Sequence, residues 1–150
     1  MNNITIRALT EDDATAVRAL DELSGNYVEQ WLDSIDYSWG MFLDNMLIGY
    51  CTTGYADDCS ASIEDHPLHT NDSILLSDVF VVPAYRHNGY ASQMIRAALK
   101  LRHDNDGYDE TVFLALLHDE LVALYEPLGF TFIDNDGHMV LPKQKAGENM

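Results

Sequence analysis

A mixed α/β fold carried by one domain is what this sequence predicts, and three observations predict it. The chain has 150 residues and is 47% hydrophobic, which is room for one core and little more. Segments that alternate apolar and polar residues with period two, as strands do, interleave with segments at helical spacing. In order the elements read β-α-α-β-β-β-α-β-α-β-β, neither an internal repeat nor a simple doubly wound pattern. The expectation is a mixed central sheet of about six or seven strands flanked by about four helices, with the domain over residues 1–143 and a polar tail at 144–150.

Each element has a local reason. Ile4-Thr5-Ile6-Arg7 alternates and reads as a strand. Thr10 then suits an N-cap, because Glu11, Asp12 and Asp13 follow in the turn where a helix dipole is positive. Ala14, Val17, Leu20 and Leu23 recur at helical spacing, and a second short helix fits residues 27–33. Residues 41–43 and 46–53 make a hairpin about Asp44-Asn45. Residues 54–72, rich in Asp, Ser and His, are longer than most connections and read as either a mobile loop or an acidic lid. Residues 73–82 form a β-rich run stopped by Pro83, and residues 89–101 carry Ala91, Met94, Ile95, Ala98 and Leu99 as the face of a buried helix. Residues 111–117 are nearly all apolar, as in a strand covered on both faces. A short helix at 121–128 ends at Gly129, and residues 130–133 and 138–141 close a hairpin about Asn135-Asp136-Gly137.

Charge excludes several partners. Eight Lys and Arg stand against 25 Asp and Glu, a net −17, of which −13 falls in residues 1–80 and −4 in residues 81–150. Such a surface repels phosphate backbones and anionic headgroups, so neither nucleic acid nor a membrane is an expected partner and a cationic one is. Cys51 and Cys59 have no CxxC spacing and read as free thiols of a reducing compartment. The chain opens without an apolar leader core, and its longest apolar run is residues 112–117, far short of the ~20 needed to cross a bilayer. A cytoplasmic protein is expected. His66-Pro67-Leu68-His69 imitates a metal pair but has no evident third ligand, so no metal site is assigned.

The segment from Val79 to Ala91 carries the chemistry. A strand through Val79, Phe80 and Val81 leads by Val82-Pro83-Ala84-Tyr85 into Arg86-His87-Asn88-Gly89-Tyr90-Ala91, where a helix begins. Free backbone N–H groups and the positive end of a helix dipole then converge on one spot, and Gly89 admits a close phosphate oxygen. Taken alone, the same residues also suit an ordinary strand-to-helix connection.

The continuation narrows that choice, because an apolar strand at 111–117 is followed by Tyr125-Glu126-Pro127-Leu128-Gly129-Phe130. In these two motifs the sequence resembles the GCN5-related N-acetyltransferase (GNAT) family, whose core shows V-x-P-x-x-[QR]-x-x-G-x-[GA], a helix, an apolar strand and Y-x-x-x-G-F. The resemblance implies a GNAT-like acyl-CoA N-acyltransferase fold, with the sheet splayed between its fourth and fifth strands. It implies acetyl-CoA as co-substrate, with the main chain of Val79, Phe80 and Val81 pairing with the pantetheine arm. Arg86, His87, Asn88, Gly89, Tyr90 and Ala91 hold the pyrophosphate, the Arg86 side chain being free to add a cationic contact. Tyr125 stands where relatives use a general acid for the departing thiolate, a role that suits a phenol of pKa about 10.

The chain departs from that pattern in two places. His118 replaces an asparagine that touches the cofactor, and serves there as a cofactor contact, a base or a holder of water. Ser77-Asp78 replaces the Glu-Asp of certain diamine acetyltransferases, which leaves Asp78 either a base acting through water or a structural or substrate-binding acid. The acceptor side of such folds uses the region after the first helix, here with Tyr27, Glu29, Trp31, Asp33, Asp36, Tyr37 and Trp39. Tyr27, Trp31 and Asp78 are taken as substrate-binding, since aromatic faces and a carboxylate attract a cation. The expected function is transfer of acetyl from acetyl-CoA to a cationic primary amine, polyamine-like or on a basic peptide, directly in a ternary complex. The other class to weigh is an acyl-CoA-binding sensor on the same fold without turnover. Relatives often form homodimers, which the resemblance extends to this chain.

Overall fold

The computed structural model describes residues 3–33, 37–56, 60–106, 111–116 and 121–142. Seven strands form a sheet in the order β1-β2-β3-β4-β5-β7-β6. They are β1 (Ile4–Ala8), β2 (Ser38–Leu43), β3 (Met46–Tyr55), β4 (Ile74–Val81), β5 (Val112–Ala115), β6 (Thr131–Phe132) and β7 (His138–Leu141). Four helices accompany them: α1 (Ala14–Ser24), α2 (Ala61–Glu64), α3 (Tyr90–Asp106) and α4 (Val122–Tyr125). β1 with β2, β2 with β3, β5 with β7 and β6 with β7 run antiparallel, and β4 runs parallel to β5 in the register Ile74↔Val112, Leu75↔Phe113. The sheet is mixed, as the element order predicts. The chain divides into two compact units, residues 1–53 with 78–105 and residues 54–77 with 106–150.

In the first unit, Leu9, Val17, Leu20, Val28, Phe42, Leu47 and Tyr50 form the core. Thr10 caps a 3-10 turn, Glu11–Asp13, that leads into α1, and the Asp13 carboxylate both accepts the Thr10 N–H at 2.9 Å and takes a two-pronged Arg7 at 2.9 Å. Leu23, predicted on the buried face of α1, is 63% exposed. A strict three-residue spacing falls about 60° behind the helix at each step, so residues 14 and 23 lie on opposite sides while Val17 and Leu20 face the core. The second predicted helix is a single 3-10 turn, Val28–Trp31. Asp44 and Asn45 both take positive φ, 49° and 71°, as a two-residue hairpin turn requires. α3 runs five residues beyond its predicted end at Leu101 because Arg102 is buried, with Nη1 donating to the Thr53 carbonyl at 2.5 Å.

The second unit packs Ala56, Ile63, Phe113 and Val140 together. The described part of residues 54–72 is more than a plain connection. It holds α2, buries Ile63, and places the rings of His66 and His69 against Phe113 at 5.7 and 5.9 Å. The apolar burial of Ile63 and the bond between His69 Nε2 and the Ala56 carbonyl tie these residues to the core of the unit. α4 continues into a 3-10 turn, Glu126–Leu128, and stops at Gly129 with φ 105°. Gly137, at φ 90°, closes the β6–β7 turn. Among the described residues, no helix is long and apolar enough to cross a membrane. Asp36, Cys59, His118 and the tail at 144–150 lie outside the described residues.

Gly49 of β3 fixes the approach of the end of β4. A Cβ there would stand 2.8 Å from the Phe80 carbonyl oxygen and 3.3 Å from Val81 Cγ2. Gly49→Ala is expected to cost about 1–3 kcal/mol, seen as a lower urea midpoint with an unchanged slope.

Candidate functional site

The site begins where β4 stops being a regular strand. Ile74 and Leu76 are buried, as period-two alternation requires, but residues 77–80 are all half-buried. The break is at Asp78, whose φ of 54° is left-handed, a conformation that Asp tolerates better than most residues. Its Oδ2 accepts the Thr52 hydroxyl at 3.0 Å. The backbone after the break stays attached to β3, since the Val82 N–H donates to the Ile48 carbonyl at 2.8 Å.

The following turn is a set of local bonds. A 3-10 turn, Pro83–Tyr85, is closed by Tyr85 N–H to the Val82 carbonyl at 2.9 Å. The Asn88 amide donates to the carbonyls of Tyr85 and Arg86, both at 3.1 Å, which holds the turn shut. His87 and Gly89 have positive φ, 66° and 76°. Gly89 accepts the first bond of α3 from Gln93 N–H at 3.1 Å, so the N–H groups of residues 90–92 belong to the first turn, which lacks intrahelical acceptors. A Cβ at Gly89 would meet nothing within 4 Å, so what requires glycine there is its φ, and the space beside it is open. Arg86 also has a structural bond. Its Nε donates to the Val81 carbonyl at 2.8 Å and its guanidinium lies 5.3 Å from the Phe80 ring centre, so the side chain braces the turn.

Around Asp78 the first unit gathers residues the sequence had left scattered. Tyr37 is bonded through its hydroxyl to Thr52, and its ring lies 5.5 Å from that of Trp31. Burial raises the Tyr37 pKa and the Asp78 charge raises it further, the Thr52 bond opposing both. Burial and then Asp78 push the Cys51 thiol up to about 12. A carboxylate, a hydroxyl, a phenol and an indole are thus linked in one series, Asp78–Thr52–Tyr37–Trp31. Thr52 was not anticipated, and Tyr37 only as one of many acceptor-side residues, since nothing local ties either to a carboxylate 26 residues beyond Thr52.

Tyr27 belongs elsewhere, in an open groove of about 400 Å³ with Arg18, Asp21, Glu22, Asn26 and Glu29. The acids there are largely committed. Asp21 accepts the N–H groups of Val28 and Glu29 at 3.1 and 3.0 Å and the Tyr50 hydroxyl at 2.6 Å, and Glu29 pairs twice with Arg18. Burial, then the bond to Asp21, raises the Tyr50 pKa. In the second unit Tyr125 ends α4, buried at 6% exposure, with its ring edge-on to Phe130 at 5.7 Å. Among the described residues no group of three or more His, Cys, Asp and Glu is placed to hold a metal.

Residues 5–130 match the sequence profile of the acetyltransferase (GNAT) family. No curated protein matches the sequence. Among solved structures, the chain is similar to the ribosomal-protein-S18-alanine N-acetyltransferase of Escherichia coli, with 20% identity and a TM-score of 0.66 over 100% of this chain and 99% of that one. It is similar to a GNAT family N-acetyltransferase from Escherichia coli in complex with CoA, at 18% identity and TM-score 0.70 over 95% and 82% of the two chains. A PaiA N-acetyltransferase from Thermoplasma acidophilum, in complex with coenzyme A, gives 18% identity and TM-score 0.65 over 95% and 99%. At these identities the likeness is one of fold.

The environment of Cys51 gives a direct test. With Cys59→Ser leaving one thiol, native Cys51 is expected to react with a thiol reagent at least about 10³-fold more slowly than in the unfolded chain, because burial suppresses the thiolate. Rapid labelling of the folded protein would show that the thiol is accessible.

Proposed function

The chain belongs to the acetyltransferase (GNAT) family, as an acetyl-CoA-dependent N-acetyltransferase, and we propose that its acceptor is a cationic primary amine, either polyamine-like or on a basic peptide. The observation that carries this reading is the series Asp78–Thr52–Tyr37–Trp31, which links a carboxylate through a shared hydroxyl to Tyr37 and so to the pair of rings it makes with Trp31. An ammonium group suits both, by charge at the carboxylate and by cation–π attraction at the rings. The sequence supports it too, since −13 of the net −17 lies in residues 1–80.

Asp78 and the rings of Trp31 and Tyr37 hold the ammonium group, and Asp78 or a water beside it takes the proton that must leave before nitrogen can attack. Bound acetyl-CoA supplies a thioester carbonyl to that nitrogen. The carbon–sulfur bond breaks as the amide forms, and Tyr125 gives its proton to the departing thiolate. The N–H near Val79 meets the negative charge growing on the carbonyl oxygen, the kind of contact that lowers such barriers most. The main chain of Val79, Phe80 and Val81 aligns the pantetheine arm. The residues of the turn, Arg86, His87, Asn88, Gly89, Tyr90 and Ala91, bind pyrophosphate with their N–H groups, and Arg86 acts chiefly by fixing Val81 and Phe80. His118 contacts the cofactor in this reading. Tyr27, in its separate groove, extends the acceptor surface. A covalent acyl-cysteine is not needed, and the suppressed thiolate of Cys51 supports direct transfer.

Thiol release from acetyl-CoA, measured with polyamines, aminoglycosides, amino acids and basic peptides, tests the acceptor. Release is expected with the cationic acceptors, with KM rising as salt is added. CoA binding without acceptor-dependent release would point to a non-catalytic module instead. Tyr125→Phe is expected to lower kcat by ~10²–10⁴ with acetyl-CoA affinity nearly unchanged, and an unaltered rate removes Tyr125 from the reaction. Asp78→Asn tolerates the left-handed backbone, so a rise in acceptor KM and a fall in kcat are expected without loss of the fold.

A further inference from the structure

The second unit holds a group of reactive side chains that amine acetylation does not use. Asp134, after β6, accepts the N–H groups of Asp136 and His138 on Oδ1 at 2.9 and 3.1 Å. Its Oδ2 lies 2.6 Å from His138 Nδ1. Across the same ring, Nε2 lies 3.1 Å from the Ser60 hydroxyl oxygen.

Chemistry fixes the protons. Burial pushes the Asp134 pKa up, but bonds from the Ser62 hydroxyl, the two backbone N–H groups and His138 outweigh it and hold the carboxyl far below its usual range. An ionised carboxylate only accepts, so the hydrogen of that short bond sits on Nδ1. In the neutral ring the lone pair is then on Nε2, within 3.1 Å of the hydroxyl that would donate to it. Ser60 is the residue that precedes α2, where serine normally spends its oxygen on a helix N–H, yet it makes no such bond. It is also exposed, and His138 is only partly covered, with 17% of its side chain accessible. A nucleophile, a base within hydrogen-bond reach and a group that orients the base are therefore present together.

We propose that Ser60, His138 and Asp134 form a second reactive site, a serine nucleophile for small activated carboxylic esters. Ser60 Oγ bonds to the carbonyl carbon as His138 Nε2 takes the hydroxyl proton. The bond to the leaving oxygen breaks, the ring gives its proton to that oxygen or, where it departs as a phenolate, to solvent, and Ser60 is left as an ester. Water, deprotonated by the same ring, then releases the carboxylic acid and restores the serine. Asp134 keeps the ring in the tautomer this requires and stays ionised throughout.

The native chain with 4-nitrophenyl acetate, without CoA or amine, tests this. The expected result is an initial burst approaching one nitrophenolate per chain, with the mass of one acetyl group on the peptide that contains Ser60. Ser60→Ala, which removes an exposed hydroxyl that caps nothing, is expected to abolish both. His138→Gln and Asp134→Asn should slow acylation by ~10² or more. Absence of acetyl on Ser60 in the native chain, or a burst of equal size in Ser60→Ala, overturns the proposal. The acetylated peptide of the native protein decides the matter even if a variant folds poorly.

Discussion

The left-handed Asp78 in the middle of β4 is the constraint on which the site depends. A non-glycine residue in that region costs about 1–3 kcal/mol, and a hydrogen bond to a charged group returns about 1.5–3. The Thr52 hydroxyl, 3.0 Å from Asp78 Oδ2, is therefore enough to hold the break. Before it, β4 alternates and fills the core; after it, Val79 and Phe80 are half-buried with their backbone fixed on β3 by Val82 and Gly49. Arg86 closes the same stretch from the other end by bonding the Val81 carbonyl. The strand is thus held at both ends, which is what a main chain that is to align a ligand needs.

A net charge of −17 is at odds with binding a polyanion such as CoA. Four of the 25 acids hold the chain's own backbone, which leaves the net charge as it is. Asp13, Asp21, Asp44 and Asp134 each accept backbone N–H groups, from Thr10, from Val28 and Glu29, from Asn3, and from Asp136 and His138. Aspartate is short enough to close such turns, and its charge strengthens each bond. The cradle proposed for the pyrophosphate would meet that conflict locally. The turn after β4 offers N–H groups and a helix terminus, whose field acts at the range of a hydrogen bond, whereas the net charge acts through solvent and is screened beyond about 8–10 Å.

The same use of carboxylates gives the two units different chemistry. Asp78, with one oxygen on a hydroxyl it shares with Tyr37, is the carboxylate proposed to meet a cation. Asp134, saturated with donors, is instead held ionised, and its effect is passed on through the ring of His138 to Ser60. Two aspartates of one chain are set to different tasks by how many donors each is given.

Much of this was legible in the sequence. The periodicities placed all seven strands and the main helices, Asp44-Asn45 and Gly137 marked turns that need positive φ, and the two motifs at residues 81–91 and 125–130 placed the chain in its family. These are local features, set by backbone geometry within a few residues. The boundary that failed did so where a distant partner intervened: α3 outlasts its apolar face because Arg102 reaches Thr53, and in the stretch after β3 His66 and His69 pack on Phe113. Nothing local in the sequence ties Arg86 to the Val81 carbonyl, which its Nε reaches. Tertiary structure alone decided that Thr52 meets Asp78, 26 residues on, and that Ser60 meets His138, 78 residues on. Such pairs follow from strand register and from which turns pack side by side, and no repeat or spacing within either segment encodes them.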